Sequence, residues 1–285
     1  MPAVRIRRRK AVALASAAVL AGLAVPALTP ATATAGASSP APEAAAARPS
    51  AAQAHAAVVA DYYEDAEGKT GDDLKTALNT IVSAQTKLSY SAVWDALKDT
   101  DEDPANSGNV ILLYSGVSRS KSANGGNTGD WNREHVWAKS HGDFGTSTGP
   151  GTDIHHLRPS DVQVNGVRGN KDFDNGGSAV TNGGGSLTDS DSFEPRDAVK
   201  GDVARMIFYM AVRYEGTDGW PDLEPNGSVN NGSAPYIGKL DVLKDWNEQD
   251  PPDAFEQRRN DVIHESYQHN RNPFVDHPEW AESIW

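Results

Sequence analysis

The chain contains no cysteine. A disulfide framework of the kind that staples many exported domains is therefore excluded, and so is a lipid anchor that needs a thiol. The fold must rest on its core, its hydrogen bonds and any bound metal. Basic charge is scarce as well: 26 Lys and Arg face 39 Asp and Glu, for a formal net charge of −13. Residues 1–57 hold six basic side chains and one acidic one, so the remainder carries −18. A module that grips nucleic acid by neutralising many phosphates should be basic. An enzyme needs only a local basic groove and must release its product, so acidity disfavours a tight-binding module more than a hydrolase. A membrane-spanning run is also missing. The small apolar run Ala11–Val25 has fifteen residues, short of the ~20 that a spanning helix needs.

That run follows Arg5, Arg7, Arg8, Arg9 and Lys10, and precedes Ala33-Thr34-Ala35, a small-residue cleavage pattern. Residues 1–35 read as a secretory signal, with the Sec and twin-arginine routes both open. Residues 36–57, mostly Ala, Pro and Ser, have too little apolar surface to offset ordering and read as a disordered spacer. Residues 58–285 contain all seven Trp and all eight Tyr and make one domain. The expected product is secreted and extracellular, with no membrane attachment after signal removal and no obligate protein partner.

Within 58–285, apolar spacing predicts helices over 70–82, about 91–98, 202–215, 236–247 and about 253–267. Residues 110–114 read as a buried strand, 119–130 as a loop, and 174–192 as an exposed Gly/Asn/Ser/Asp excursion. On the 202–215 helix, Arg205 and Arg213 fall on the polar side and are expected in solvent. The class is α+β, mainly helical.

Chemistry concentrates in two segments. Asn132-Arg133-Glu134-His135-Val136-Trp137 places a carboxylate beside an imidazole. Asp153 to Asn170 then brings His155, His156, Arg158, Asp161, Asn165 and Arg168. Ser160 followed by Gln163 predicts a capping box, and a short helix starting at 161. Asp161, Asn165 and Arg168 would share a stripe on it, with Val164 and Val167 packed inward. Gly166 and Gly169 suggest something approaching its surface closely. The result is strand, strand, capped helix. Glu134 and His135 are adjacent, so the strand is expected to end or kink there for both to serve one site.

These residues resemble the endonuclease I family of extracellular and periplasmic nucleases, whose core is the ββα-metal (His-Me finger) motif. Tyr62-Tyr63 with Gly68-Lys69-Thr70-Gly71, Arg133 to Trp137, Asp153 to Asn170, Phe193 to Arg205 and Asn270 to Pro278 carry the likeness in order across nearly all of 60–280. The resemblance implies His135 as general base, with Glu134 and Asn165 holding one divalent ion, Mg²⁺ with Mn²⁺ or Ca²⁺ as alternatives. It implies nucleic acid, DNA and also RNA, as substrate, cut endonucleolytically with little sequence specificity to 5′-phosphate and 3′-hydroxyl ends. Two departures stand out: Ala138 where Pro often follows the Trp, and no arginine between Lys139 and Thr152, where disulfide-bearing members carry a phosphate-touching one. Arg158 or Arg168 becomes the expected substrate contact. His155, His156 and Asp161 are candidates for supporting the site through hydrogen bonds, with buried structural roles and a helix-dipole role as the alternatives.

An extracellular ribonuclease of the same fold is the alternative reading. A zinc hydrolase is the next, although H-E-x-x-H is absent. A non-catalytic extracellular binding module has no reason to place a base beside a metal pair.

Overall fold

The computed structural model describes residues 58–285, so the expected signal and spacer lie outside the described residues. Three α-helices form the main packing layer: α1 (Gly71–Ser83), α4 (Lys200–Arg213) and α5 (Leu240–Gln249). Helix α1 begins within a residue of its predicted start, with Asp72 and Asp73 in the first turn, where carboxylates oppose the helix dipole. Helix α4 is buried from Gly201 to Arg213, packed against both α1 and α5. A Cβ on Gly201 would lie 1.9 Å from the carbonyl oxygen of Asp250, so only glycine permits this approach.

The burial of α4 overturns one expectation. Arg205 and Arg213 are not in solvent; they are 0 % and 3 % exposed. Each is tolerated because an acid meets it: Glu256 Oε2 lies 2.5 Å from Arg205 Nη2, and Asp218 Oδ2 lies 3.0 Å from Arg213 Nη1.

Helix α2 (Val93–Thr100) precedes the antiparallel strands β1 (Glu102–Asp103), β2 (Asn106–Ile111) and β3 (Ser118–Ser120). The predicted strand at 110–114 is thus shifted: pairing stops at Ile111, while Leu112, Leu113 and Tyr114 stay buried. The predicted loop likewise begins only after β3. Strands β4 (Trp131–His135) and β5 (Leu157–Asp161) pair antiparallel and lead into α3 (Val162–Arg168). The 174–192 stretch is not a bare excursion. It supplies β7 (Ser178–Ala179) and β8 (Leu187–Thr188), which join β6 (Asp172–Phe173) and β9 (Ser192–Glu194) in the order β6-β9-β8-β7. A parallel pair, β10 (Glu224–Asn226) and β11 (Tyr236–Gly238), precedes α5. Helix α6 (Ala254–Val262) runs into a π-turn over Ile263–Tyr267, followed by α7 (Pro273–Asp276) and α8 (Trp280–Ile284).

The class is α+β, with short strands in four small sheets among the described residues. No helix among the described residues is long and apolar enough to cross a membrane. The β4–β5 hairpin sits between two apolar clusters. Trp131, Ile154 and Leu157 belong to one, with Val93, Leu97 and Val110; Val136, Trp137 and Val164 belong to the other, with α1 and α4. Both sides of the hairpin are therefore pinned, which fixes where its polar residues point.

Candidate active site

The register of the hairpin sets Asn132 opposite Ser160, Glu134 opposite Arg158 and His135 opposite Leu157. Strand β4 ends at His135, as expected. At this end Asn132, Arg133, Glu134 and His135, with Asn165 and Arg168 from α3, line a cavity of ≈ 400 Å³. Tyr90, Trp94 and the exposed Lys139 complete its rim. The expected base and both expected metal ligands thus face one space.

His135 is 6 % exposed. Its Nε2 lies 3.1 Å from the carbonyl oxygen of Gly151, which can only accept, so Nε2 carries the proton and Nδ1 keeps its lone pair. Among the described residues no hydrogen bond reaches Nδ1. Burial pushes the imidazole well below its ordinary value, neighbouring His156 pushes the same way, and the Gly151 carbonyl opposes both. The ring stacks on Tyr90 at 6.0 Å. The site therefore holds a neutral imidazole in a single tautomer.

Glu134 is 2 % exposed, and its Oε1 takes both of its protein partners. The Tyr114 hydroxyl donates at 2.7 Å, and Arg168 Nη1 lies 3.1 Å away. Burial raises the carboxyl above its usual range, against the opposing pull of Arg168 and Tyr114. Asn165, half-buried on α3, donates from Nδ2 to Asn132 Oδ1 at 2.8 Å. That leaves Glu134 Oε2 and Asn165 Oδ1 without protein partners among the described residues. One carboxylate and one amide oxygen are hard donors, and they suit Mg²⁺, which keeps several waters and needs few protein ligands. Among the described residues no three His, Asp or Glu side chains converge in the way a zinc cage requires.

Arg168 lines the cavity but is not free to grip substrate. It is 1 % exposed and donates from Nη1 and Nη2 to the carbonyl oxygens of His135 and Val136 at 2.8 and 2.6 Å. Arg158 does not line the cavity. Although its backbone pairs with Glu134, its guanidinium is buried between Asp101, 2.5 Å away, and Asp202, 3.1 Å away. Both arginines expected at the phosphate are thus corrected to internal ion pairs.

Asp161 also stands away from the cavity. It is the N-cap of α3, accepting from the backbone of Gln163 and Val164, and it is paired with Arg119 at 2.6 Å. The cap is therefore Asp161, with Ser160 still in the strand. Val164 packs inward as expected, whereas Val167 is 41 % exposed. A Cβ on Gly166 would meet nothing, so no protein group approaches there. Gly169 is explained by the backbone: it ends α3 at φ 61°, a region that favours glycine.

His155 and His156 are both buried, and burial lowers each to about 4. His155 meets Asn270 through Nε2. His156 accepts from the Trp137 N–H at Nδ1, and its Nε2 donates to the Pro150 carbonyl at 2.8 Å. Pro150 precedes Gly151, so His156 holds the turn that holds His135. Asp153, which takes donors from Tyr209, Tyr214 and Gln268, fixes the start of the same segment. His141, which its sequence context did not single out, is buried with both ring nitrogens on carbonyls, those of Tyr236 and Asn170. Asn132 and Tyr114 are further members of the site that the sequence did not point to. Asn132 lies two residues from Glu134, on the same strand face, and that spacing was the one signal for it.

The endonuclease I family model matches residues 70–279. The chain is 70 % identical over 224 residues to a protein named extracellular ribonuclease from Bacillus subtilis (strain 168), covering 79 % of this chain and 78 % of the relative. A protein of the same name from Bacillus amyloliquefaciens matches with the same identity and coverage. With Glu134, His135 and Asn165 gathered in one cavity inside the matched region, the chain belongs to the endonuclease I family and is a nuclease that hydrolyses phosphodiester bonds.

Proposed function

We propose that this protein is a secreted, Mg²⁺-dependent endonuclease that cuts RNA, and DNA as well, through water activation by His135. The observation that carries the reading is the tautomer of His135. Its Nε2 is tied to Gly151, among the described residues its unprotonated Nδ1 has no protein partner, and His135 lines one cavity with Glu134 and Asn165. The strand–strand–helix order of β4, β5 and α3 supports reading the core as a His-Me finger. The names of the two relatives support RNA as a substrate and export as the destination.

In this reading His135 Nδ1 takes a proton from a water as its oxygen bonds to phosphorus, and the P–O3′ bond breaks as the departing O3′ takes a proton from a second water of the solvent. The products are a 5′-phosphate and a 3′-hydroxyl. Positioned proton transfer of this kind contributes ~10²–10⁴-fold in rate. Glu134 and Asn165 would hold the divalent ion, which supplies positive charge against the phosphate oxygens when bound. Tyr114 and Arg168 keep the Glu134 carboxylate in place, and His156 keeps the Gly151 turn in place. No step uses the 2′-hydroxyl, so RNA and DNA should both react.

The test is end analysis on single-stranded RNA and DNA of one sequence, incubated with the protein and Mg²⁺ or EDTA. Both polymers should be cut internally to 5′-phosphate ends, and EDTA should stop cutting. Terminal 2′,3′-cyclic phosphates on RNA with intact DNA would overturn the mechanism, because they require attack by the 2′-hydroxyl.

A further inference from the structure

In this acidic chain the buried arginines are consumed by acids. Arg158, Arg168, Arg205, Arg259 and Arg271 each lie within ion-pair distance of a carboxylate. Arg133 differs: it forms no ion pair among the described residues, yet it lines the same cavity as Glu134 and His135. Its guanidinium lies 3.4 Å from the ring centroid of Tyr90 and 4.1 Å from that of Trp94. Trp94 is seated in turn on buried Trp131 at 5.2 Å. One edge donor is used, with Nη1 donating to the Tyr90 carbonyl. Nε, itself buried, has no partner among the described residues, so a phosphate would be met by the remaining Nη donors.

Aromatic rings hold a guanidinium by its faces and leave its edge donors for hydrogen bonding. The planar fork of those donors matches two oxygens of a phosphate. Arg133 also stands two residues before His135, on the same side of β4. An unneutralised cation, oriented by two rings beside the base, calls for an anion from outside the protein. Resting on the nuclease reading above, we infer that Arg133, clamped by Tyr90 and Trp94, binds a backbone phosphate of the polynucleotide in the cavity. This grip positions the polynucleotide against His135 and carries no base information, since phosphates are common to all sequences.

Binding is tested with the full protein carrying His135→Ala to prevent cutting, using fluorescence anisotropy of a labelled single-stranded RNA at increasing salt. Adding Arg133→Ala should weaken binding roughly tenfold or more, as expected for hydrogen bonds to a charged group. The slope of log affinity against log salt should shrink by about 0.7 for each phosphate that the protein no longer neutralises. Arg133→Lys should restore the slope and only part of the affinity, because the charge returns without the fork. An unchanged slope in Arg133→Ala would overturn the inference and leave Arg133 as a prop for the two rings. If circular dichroism shows that Arg133→Ala does not fold, Arg133→Gln is judged by the same slope. Cutting by the wild-type protein is scored separately. A reduced slope with no cutting would sink the nuclease reading and leave the phosphate site standing.

Discussion

Glu134 sits in a cavity wall with one carboxylate oxygen held by Tyr114 and Arg168 and the other without a protein partner among the described residues. That arrangement makes Arg168 a structural partner. Its side chain ties together the carboxylate, the His135 carbonyl and the Val136 carbonyl, so it fixes the end of β4 from the far end of α3. Removing one member of a buried pair leaves the other charge uncompensated and typically costs about 3–5 kcal/mol. Arg168→Ala should therefore lower the unfolding free energy measured in urea by an amount of that order, and the midpoint with it, along with activity. A raised KM with an unchanged midpoint would instead return Arg168 to substrate binding.

The segment leading into β5 acts as a unit. His155 and His156 anchor it to Asn270, Trp137 and Pro150, and the next carbonyl, of Gly151, orients His135. Both imidazoles are buried neutral, with folded values of about 4 against ~6.5 when unfolded. Between those values the unfolded chain binds more protons. Their contribution to stability is therefore complete above pH ~6.5 and is lost as pH falls toward 4. At most two protons are involved, about 2.7 kcal/mol per pH unit. Urea unfolding followed from pH 7 to 4 should show this decline, and His156→Gln should reduce its slope by up to about 1.4 kcal/mol per pH unit. Equal slopes in the two proteins would mean that His156 is not buried neutral.

At this scale the sequence was most readable where one periodicity decides the outcome. Leu74, Leu78 and Val82 made α1 legible, and the apolar spacing of α4 did the same, because burial follows the stripe. The strand–strand–helix order and the meeting of Glu134, His135 and Asn165 were legible too. The fates of the arginines were not. Arg158 finds Asp101 from 57 residues away, and Arg205 finds Glu256 from 51 residues away. Such partners leave no local trace. The α3 cap lies one residue beyond its predicted place because Ser160 and Asp161 are both good caps, and pairing with β4 keeps Ser160 extended.

Across the whole molecule, a net charge of −13 coexists with a cavity whose cations not held in internal ion pairs are Arg133 and Lys139. Negative charge elsewhere limits unspecific adhesion to polyanions, while in the proposed reading the local cations and a divalent ion would act on the phosphate in the site. Two apolar clusters clamp the hairpin between them, so the geometry of the candidate site is set by the packing of the described residues and not by disulfides. The account turns on His135 being a base and not a metal ligand. The direct measurement is single-turnover cleavage of a labelled RNA by wild type and His135→Ala across a Mg²⁺ titration. The account predicts a rate lower by ~10²–10⁴-fold with half-saturation at the same Mg²⁺ concentration. A variant whose rate recovers at high Mg²⁺, with half-saturation shifted upward, would contradict it and make His135 a ligand.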